Sequence, residues 1–115
     1  MLSKPAIQYI KFLELSESLD NKVISSLEIE EVALLNYLSL AWSSHGKISV
    51  VDAMHGFPKY SIGTVHRYLK GIRKKGLITL HLDEVDNRIK YILPTDLTDK
   101  YFSHLGQCLA KAVAT

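Results

Sequence analysis

Apolar residues recur at helical spacing almost from the start of the chain. Ile7, Ile10, Phe12, Leu13 and Leu15 form a broad face within Pro5 to Leu19, with Pro5 suited to a first turn, so a helix is expected there. The run "DNKV" breaks it. In "SSLEIEEVALLNYLSLAWSSHG", Ser25 and Glu28 have the spacing of a capping box. Behind them Ile29, Val32, Ala33, Leu35, Leu38 and Trp42 make a helical stripe, which Leu34, Tyr37 and Leu40 widen almost all round. A helix so apolar is packed from more than one side, and it should end near His45-Gly46.

The period then shortens. "KIS" reads as a minimal strand, and "SVVDAMHG" as a two-turn helix with Ser49 as N-cap and with Val51 and Met54 pointing inward. "GFPKY" is the linking turn, where Gly56 and Pro58 stop the helix and Phe57 plugs it. "SIGTVHRYLKGIRKKGLI" follows as a second full helix, opened by Ser61 and closed by Gly76. Leu77, Thr79, His81 and then Ile89, Tyr91, Leu93 have the period of two that marks strands, and "DEVDN" turns between them into a hairpin. A last helix runs through "TDLTDKYFSHLGQCLAKAVA", capped by Thr95 or Asp96. The chain therefore reads as one domain, residues 1–115, with a core over about 27–97 and flanking helices at 5–19 and 95–113.

Composition narrows the class. A hydrophobic fraction of 47% and a charged fraction of 23% belong to an ordinary globular protein. Cys108 is the single cysteine, so no intrachain disulfide can form and a reducing compartment is expected. No apolar run approaches the roughly 20 residues of a membrane span, and "MLSKPAIQYIKF" is unlike a signal peptide; a cytoplasmic protein is expected.

Charge changes the picture only when divided along the chain. The formal net charge is +2. Residues 1–34 hold three basic and six acidic side chains, 35–52 one of each, and 83–115 four basic and five acidic. Residues 53–82 contain Lys59, Arg67, Lys70, Arg73, Lys74 and Lys75 and no acid at all. All the excess positive charge thus lies in one block, the pattern of a face that binds a polyanion. The plainer reading is the solvated face of a surface helix.

Helix, short strand, short helix, turn, basic helix, hairpin is the order of a winged helix-turn-helix. On residues 27–97 the chain resembles the MarR-like transcriptional regulators. "SIGTVHRYLKGIRKKGLI" is similar to that family's recognition helix, with Ser61, Thr64, Val65, Leu69, Ile72 and Gly76-Leu77 at its spacings. "DEVDNRIKYILPT" is similar to its wing, with Asp83, Asp86 and Arg88 ahead of the return strand. The resemblance implies a mainly α fold with a small β-hairpin, flanked by N- and C-terminal helices. It also implies that Arg88 reaches the minor groove or phosphate while the aspartates hold it.

At roughly 100° per residue, Val65, Tyr68, Leu69 and Ile72 fall on one face of the basic helix and form its core stripe. Opposite lie Gly63, His66, Arg67, Lys70 and Lys74, with Ser61, Ile62 and Thr64 around the first turn. A recognition helix presents its N-terminal half to base edges in the major groove. Arg67 suits a bidentate pair with guanine, His66 a base or phosphate, and Ile62 a thymine methyl. Gly63 permits close backbone approach. Ser61, Thr64, Lys59 and Lys70 suit phosphate. Arg73, Lys74 and Lys75 either contact phosphate or merely complement the helix dipole. For Arg88 the alternative to DNA contact is a salt bridge within the acidic wing.

Other chemistry is absent from the pattern. His104 and Cys108 are four apart on a helix, but with no second pair a metal site is not expected. Trp42, Tyr37 and Tyr101 read as core or interface. No nucleophile motif, phosphate-binding glycine loop or paired-carboxylate site supports an enzyme, and no cofactor or small-molecule effector is identifiable. The leading expectation is a sequence-specific double-stranded DNA-binding regulator, a homodimer joined through its apolar first and last helices. The alternatives are a winged-helix protein-interaction adaptor and a replication or plasmid-maintenance DNA-binding protein.

Overall fold

The computed structural model describes residues 1–57 and 59–114, so the expected role of Pro58 lies outside the described residues. Among the described residues six helices and three strands follow one another as α1 (Lys4–Ser16), α2 (Lys22–Ser25), α3 (Ile29–His45), β1 (Ile48–Ser49), α4 (Val50–Gly56), α5 (Ile62–Lys74), β2 (Ile78–Leu82), β3 (Lys90–Pro94) and α6 (Asp96–Val113). The architecture is mainly helical, with an antiparallel sheet in the order β1-β3-β2.

Helix α1 stops at Ser16 rather than Leu19, and the interruption that follows contains the four-residue α2, capped by the Asn21 side chain. The capping box lies three residues beyond its expected place. Ser25 ends α2, whereas Glu28 caps α3 and Glu31 closes the box onto the Glu28 backbone N–H at 2.9 Å. Both spacings occur in the sequence; Glu31 is the one that folding buries. The start of α3 is correspondingly bare, with Ile29 85% exposed, and Leu40 stands out at 69%. Leu34, Leu35 and Leu38 carry the core, each burial stabilising the fold by about 1.5–3 kcal/mol. Gly46 ends the helix at φ 80°, a left-handed conformation costly for a residue with a side chain.

Around α3 the elements close in short steps. Ile48 pairs with Ile92 in β3, which in turn pairs with Leu80 in β2. The inward strand positions are Ile78, Leu80 and Ile92, the phase opposite to Thr79, His81 and Tyr91; Leu77 is buried just before β2 begins. Ser49 caps α4 by accepting from the Asp52 N–H. Its inward face is Ala53 with Val50 and Met54 packed beside it, Met54 as expected; Val51 points to solvent, a correction, because Val50 takes the inward position one residue earlier. Phe57 fills the turn as expected, its ring 5.3 Å from Tyr37 and 5.5 Å from Tyr60.

Helix α6 begins against this core through Leu97 and Phe102 and packs farther along on α1. The Gln8 side-chain amide donates to the Val113 carbonyl at 3.4 Å across that pair. No residue of α1 is buried. The described chain is elongated, 55 × 27 × 27 Å.

Candidate nucleic-acid interface

Three local devices hold α5. The Ser61 hydroxyl accepts from the Thr64 N–H at 3.2 Å and donates to Thr64 Oγ1 at 2.9 Å, so it is committed to the cap. Val65, Leu69 and Ile72 are buried against α3 and α4, with Tyr68 half-buried beside them. Gly76, at φ 85°, turns the chain into β2. The exit is then pinned from a distance: Thr95 Oγ1 donates to the Gly76 carbonyl at 2.6 Å, and the buried Thr98 hydroxyl donates to the Leu77 carbonyl.

This anchoring leaves one surface of α5 to solvent. Ile62, Gly63, His66, Arg67, Lys70, Arg73 and Lys74 are exposed on it, and Lys59 is exposed in the preceding turn. A Cβ built on Gly63 meets nothing within 4 Å, so the backbone there is open to approach from outside. Thr64 is half-buried.

The sequence grouped the basic residues; the structure separates them. Lys75 turns back on the protein, its Nζ 2.5 Å from Glu31 Oε1 and 2.9 Å from the Ser26 carbonyl. It is an internal cation, unlike its neighbours, and leaves five basic side chains of the block facing outward. Arg67 leans toward α3, with its guanidinium 5.0 Å from the Tyr68 ring centre and Nη2 donating to the Tyr68 hydroxyl at 3.3 Å. His66, Lys70 and Arg73 lean the other way. With Lys90 of β3 they rim a cleft of about 220 Å³ between α5 and the sheet, floored by apolar residues including Leu69 and Leu80.

The wing is held from within. Asp83 Oδ2 accepts from the backbone N–H groups of Val85 and Asp86, at 3.1 and 2.9 Å, and so shapes the turn. Asp86 takes Arg88 in a two-pronged pair, Nε to Oδ1 and Nη2 to Oδ2, each 2.9 Å, with Arg88 still 90% exposed. That guanidinium, with the Arg88 N–H, holds the Asp86 carboxyl below the usual aspartate value, and Asp86 raises Arg88 in return. Arg88 thus makes the salt bridge within the acidic wing and remains exposed.

Arg73 and Lys90 were not singled out from the sequence as cleft residues. Their signal was present in part, since His66, Lys70 and Arg73 stand at helical i, i+4, i+7 spacing. Lys90 shares its strand face with Ile92, but only the docking of β3 beside α5 brings it to the same rim. Elsewhere, Cys108 Sγ lies 3.5 Å from His104 Nε2, and no group of three metal-ligating side chains exists among the described residues. Nor is any helix among them long and apolar enough to cross a membrane.

A helix packed behind a short helix and turn, followed by a two-stranded wing, defines a winged helix-turn-helix. Solved structures share this architecture along most of the chain. A MarR-like transcriptional regulator from Thermotoga maritima is 20% identical, with a TM-score of 0.68 over 92% of this chain and 72% of that one. The S. aureus MepR–DNA complex is 19% identical, with a TM-score of 0.59 over 90% and 74%. A mutant MarR from E. coli complexed with operator DNA is 13% identical, with a TM-score of 0.60 over 92% and 68%. These likenesses establish the fold, that of MarR-like regulators. No family model and no curated protein matches the chain by sequence.

Proposed function

We propose that this protein is a sequence-specific double-stranded DNA-binding transcriptional regulator, acting in the cytoplasm as a homodimer without enzymatic activity. The observation that carries the reading is the outward face of α5. Five basic side chains from an acid-free block lie along or just before that face, Gly63 stands open near its start, and none of the five is ion-paired to a carboxylate among the described residues. In this reading Ile62, Gly63, His66 and Arg67 meet base edges in the major groove, while Lys59, Thr64, Lys70 and Lys74 meet phosphate. Ser61 positions Thr64 and the helix N-terminus, and Arg88 serves the wing. That related folds are solved on DNA supports the same assignment.

Dimerisation is supported by the flanking pair. Ile7, Tyr9, Ile10 and Leu13 of α1 and Leu109 and Val113 of α6 remain exposed after the two helices have packed together. Apolar surface of this extent is suited to a second copy, and a two-fold pair sets recognition helices about one DNA turn apart. Binding titrations on genomic fragments at two or more salt concentrations, with sedimentation of the free protein, test the proposal. A dimer with a log–log salt slope of roughly −5 or steeper is expected. A slope near zero favours the protein-interaction adaptor, and a concentration-independent monomer removes the dimer.

A further inference from the structure

Of five concavities on the surface of the described residues, four hold a carboxylate. Asp52 sits in two, Asp83 and Glu84 in a third, and Glu28 and Glu31 in a fourth. The cleft between α5 and β3 has none; its charged or titratable groups are His66, Lys70, Arg73 and Lys90. Its volume, about 220 Å³, is below the roughly 300–1,000 Å³ of small-molecule sites. A single backbone unit of a polyanion is the occupant that matches both size and charge.

We propose that this cleft seats one sugar-phosphate unit of the bound duplex, with Arg73 and Lys90 as its phosphate-binding residues and the deoxyribose against the apolar floor at Leu80. The inference rests on the DNA-binding reading above. A recognition helix occupies the major groove, and the resemblance to the MarR-like family implies that the wing reaches toward the minor groove. The covalent strand separating two adjacent grooves must then cross between them, where α5 and β3 meet. The four rim groups are free for it: none makes a hydrogen bond or ion pair within the described protein, in contrast to Lys75 with Glu31 and Arg88 with Asp86. The apolar floor is complementary to a sugar's carbon face, and the rim cations stand on both walls, so a phosphate would be gripped by the helix and the sheet together.

The test uses the full chain and a duplex that the protein itself selects from a random library. Each phosphate of one half-site is replaced in turn by a neutral methylphosphonate. One position between the two grooves is expected at which replacement weakens the wild type about three- to tenfold. The same replacement should have no further effect on the Arg73→Ala/Lys90→Ala double variant, whose salt slope falls by about 1 per subunit. Lys100→Ala, a remote exposed cation on α6, should change neither. Retained sensitivity of the double variant at every position overturns the assignment, as does unchanged affinity. So does saturable binding of inorganic phosphate at Lys90 alongside unchanged DNA affinity, which would make the cleft a small-anion site. Failure of the wild type to select or bind any duplex at low salt is a different result; it removes the DNA-binding reading, and this inference with it.

Discussion

Lys75 Nζ lies 2.5 Å from Glu31 Oε1, joining the end of α5 to the first turn of α3 across 44 residues of sequence. Glu31 is almost fully enclosed, and its side chain also accepts from the Glu28 N–H, so it serves the cap and the ion pair at once. Gly71 makes room for it: a Cβ there would fall 2.5 Å from Glu31 Oε2. Removing Lys75 leaves a buried carboxylate without its cation. Lys75→Ala should therefore destabilise the fold by about 3 kcal/mol, the low end for a broken buried pair because Lys75 is partly solvated. Denaturant melts measure the loss, while the salt slope of DNA binding should stay unchanged. An unaltered melt with a shallower slope would instead make Lys75 a phosphate contact.

Arg67 should carry base discrimination and Lys70 affinity. Arg67 must leave the Tyr68 ring to reach a guanine, surrendering about 0.5–1 kcal/mol of ring contact. A bidentate pair worth roughly 1–3 kcal/mol against the wrong base repays that. Arg67→Ala is expected to flatten preferences among single-base operator variants, and Lys70→Ala to weaken all of them alike. Lys70→Ala should leave the melting temperature unmoved, and Arg67→Ala should lower it by no more than the ring contact it removes. Discrimination that survives Arg67→Ala would mean that the guanidinium stays on Tyr68 in the complex.

Gly63→Ala separates folding from binding. Nothing in the protein opposes the added methyl, so helix propensity should raise stability by about 0.5–1 kcal/mol. If the backbone at Gly63 meets DNA, the same methyl must weaken binding. A more stable protein with unaltered affinity would show that the duplex does not come close there.

Asp86 should titrate below an ordinary aspartate, because the Arg88 guanidinium holds it ionised. A carboxyl lowered in the folded state contributes above the pKa of the unfolded chain and loses that contribution as pH falls through its own value. The Asp86–Arg88 pair is therefore intact at neutral pH and released only in acid. Carbon-13 titration of the carboxyl follows this directly. Arg88→Ala should return Asp86 toward the normal range, and no change on that substitution would disprove the pairing in solution.

Local devices were legible in the sequence; long-range ones were not. Ser61, the Val65–Leu69–Ile72 stripe and Gly76 are contiguous signals, and they delimit α5 to within a residue or two. The hairpin showed in its period of two, and its reading as a wing through Asp83, Asp86 and Arg88 came from the family resemblance. Helix α2 escaped because four residues are too few to establish a period. Of Ser25-x-x-Glu28 and Glu28-x-x-Glu31, the box that forms is the one whose Glu31 also pairs with Lys75, far along the chain, and spacing alone could not show that partner. Arg67 was placed on the outward face correctly, but its lean toward Tyr68 depends on a ring that α3 and the turn hold in position. Lys90 joins the cleft only once β3 has paired with both of its neighbours.

The chain has a single tryptophan, and its indole N–H donates to the Ile92 carbonyl at 2.8 Å. Ile92 is the central residue of β3, two positions from Lys90. The protein thus contains a native optical gauge between its main helix and the strand that carries the wing. Its emission should report strain in that strand as a duplex is loaded, without any label, and in the same titration that measures affinity.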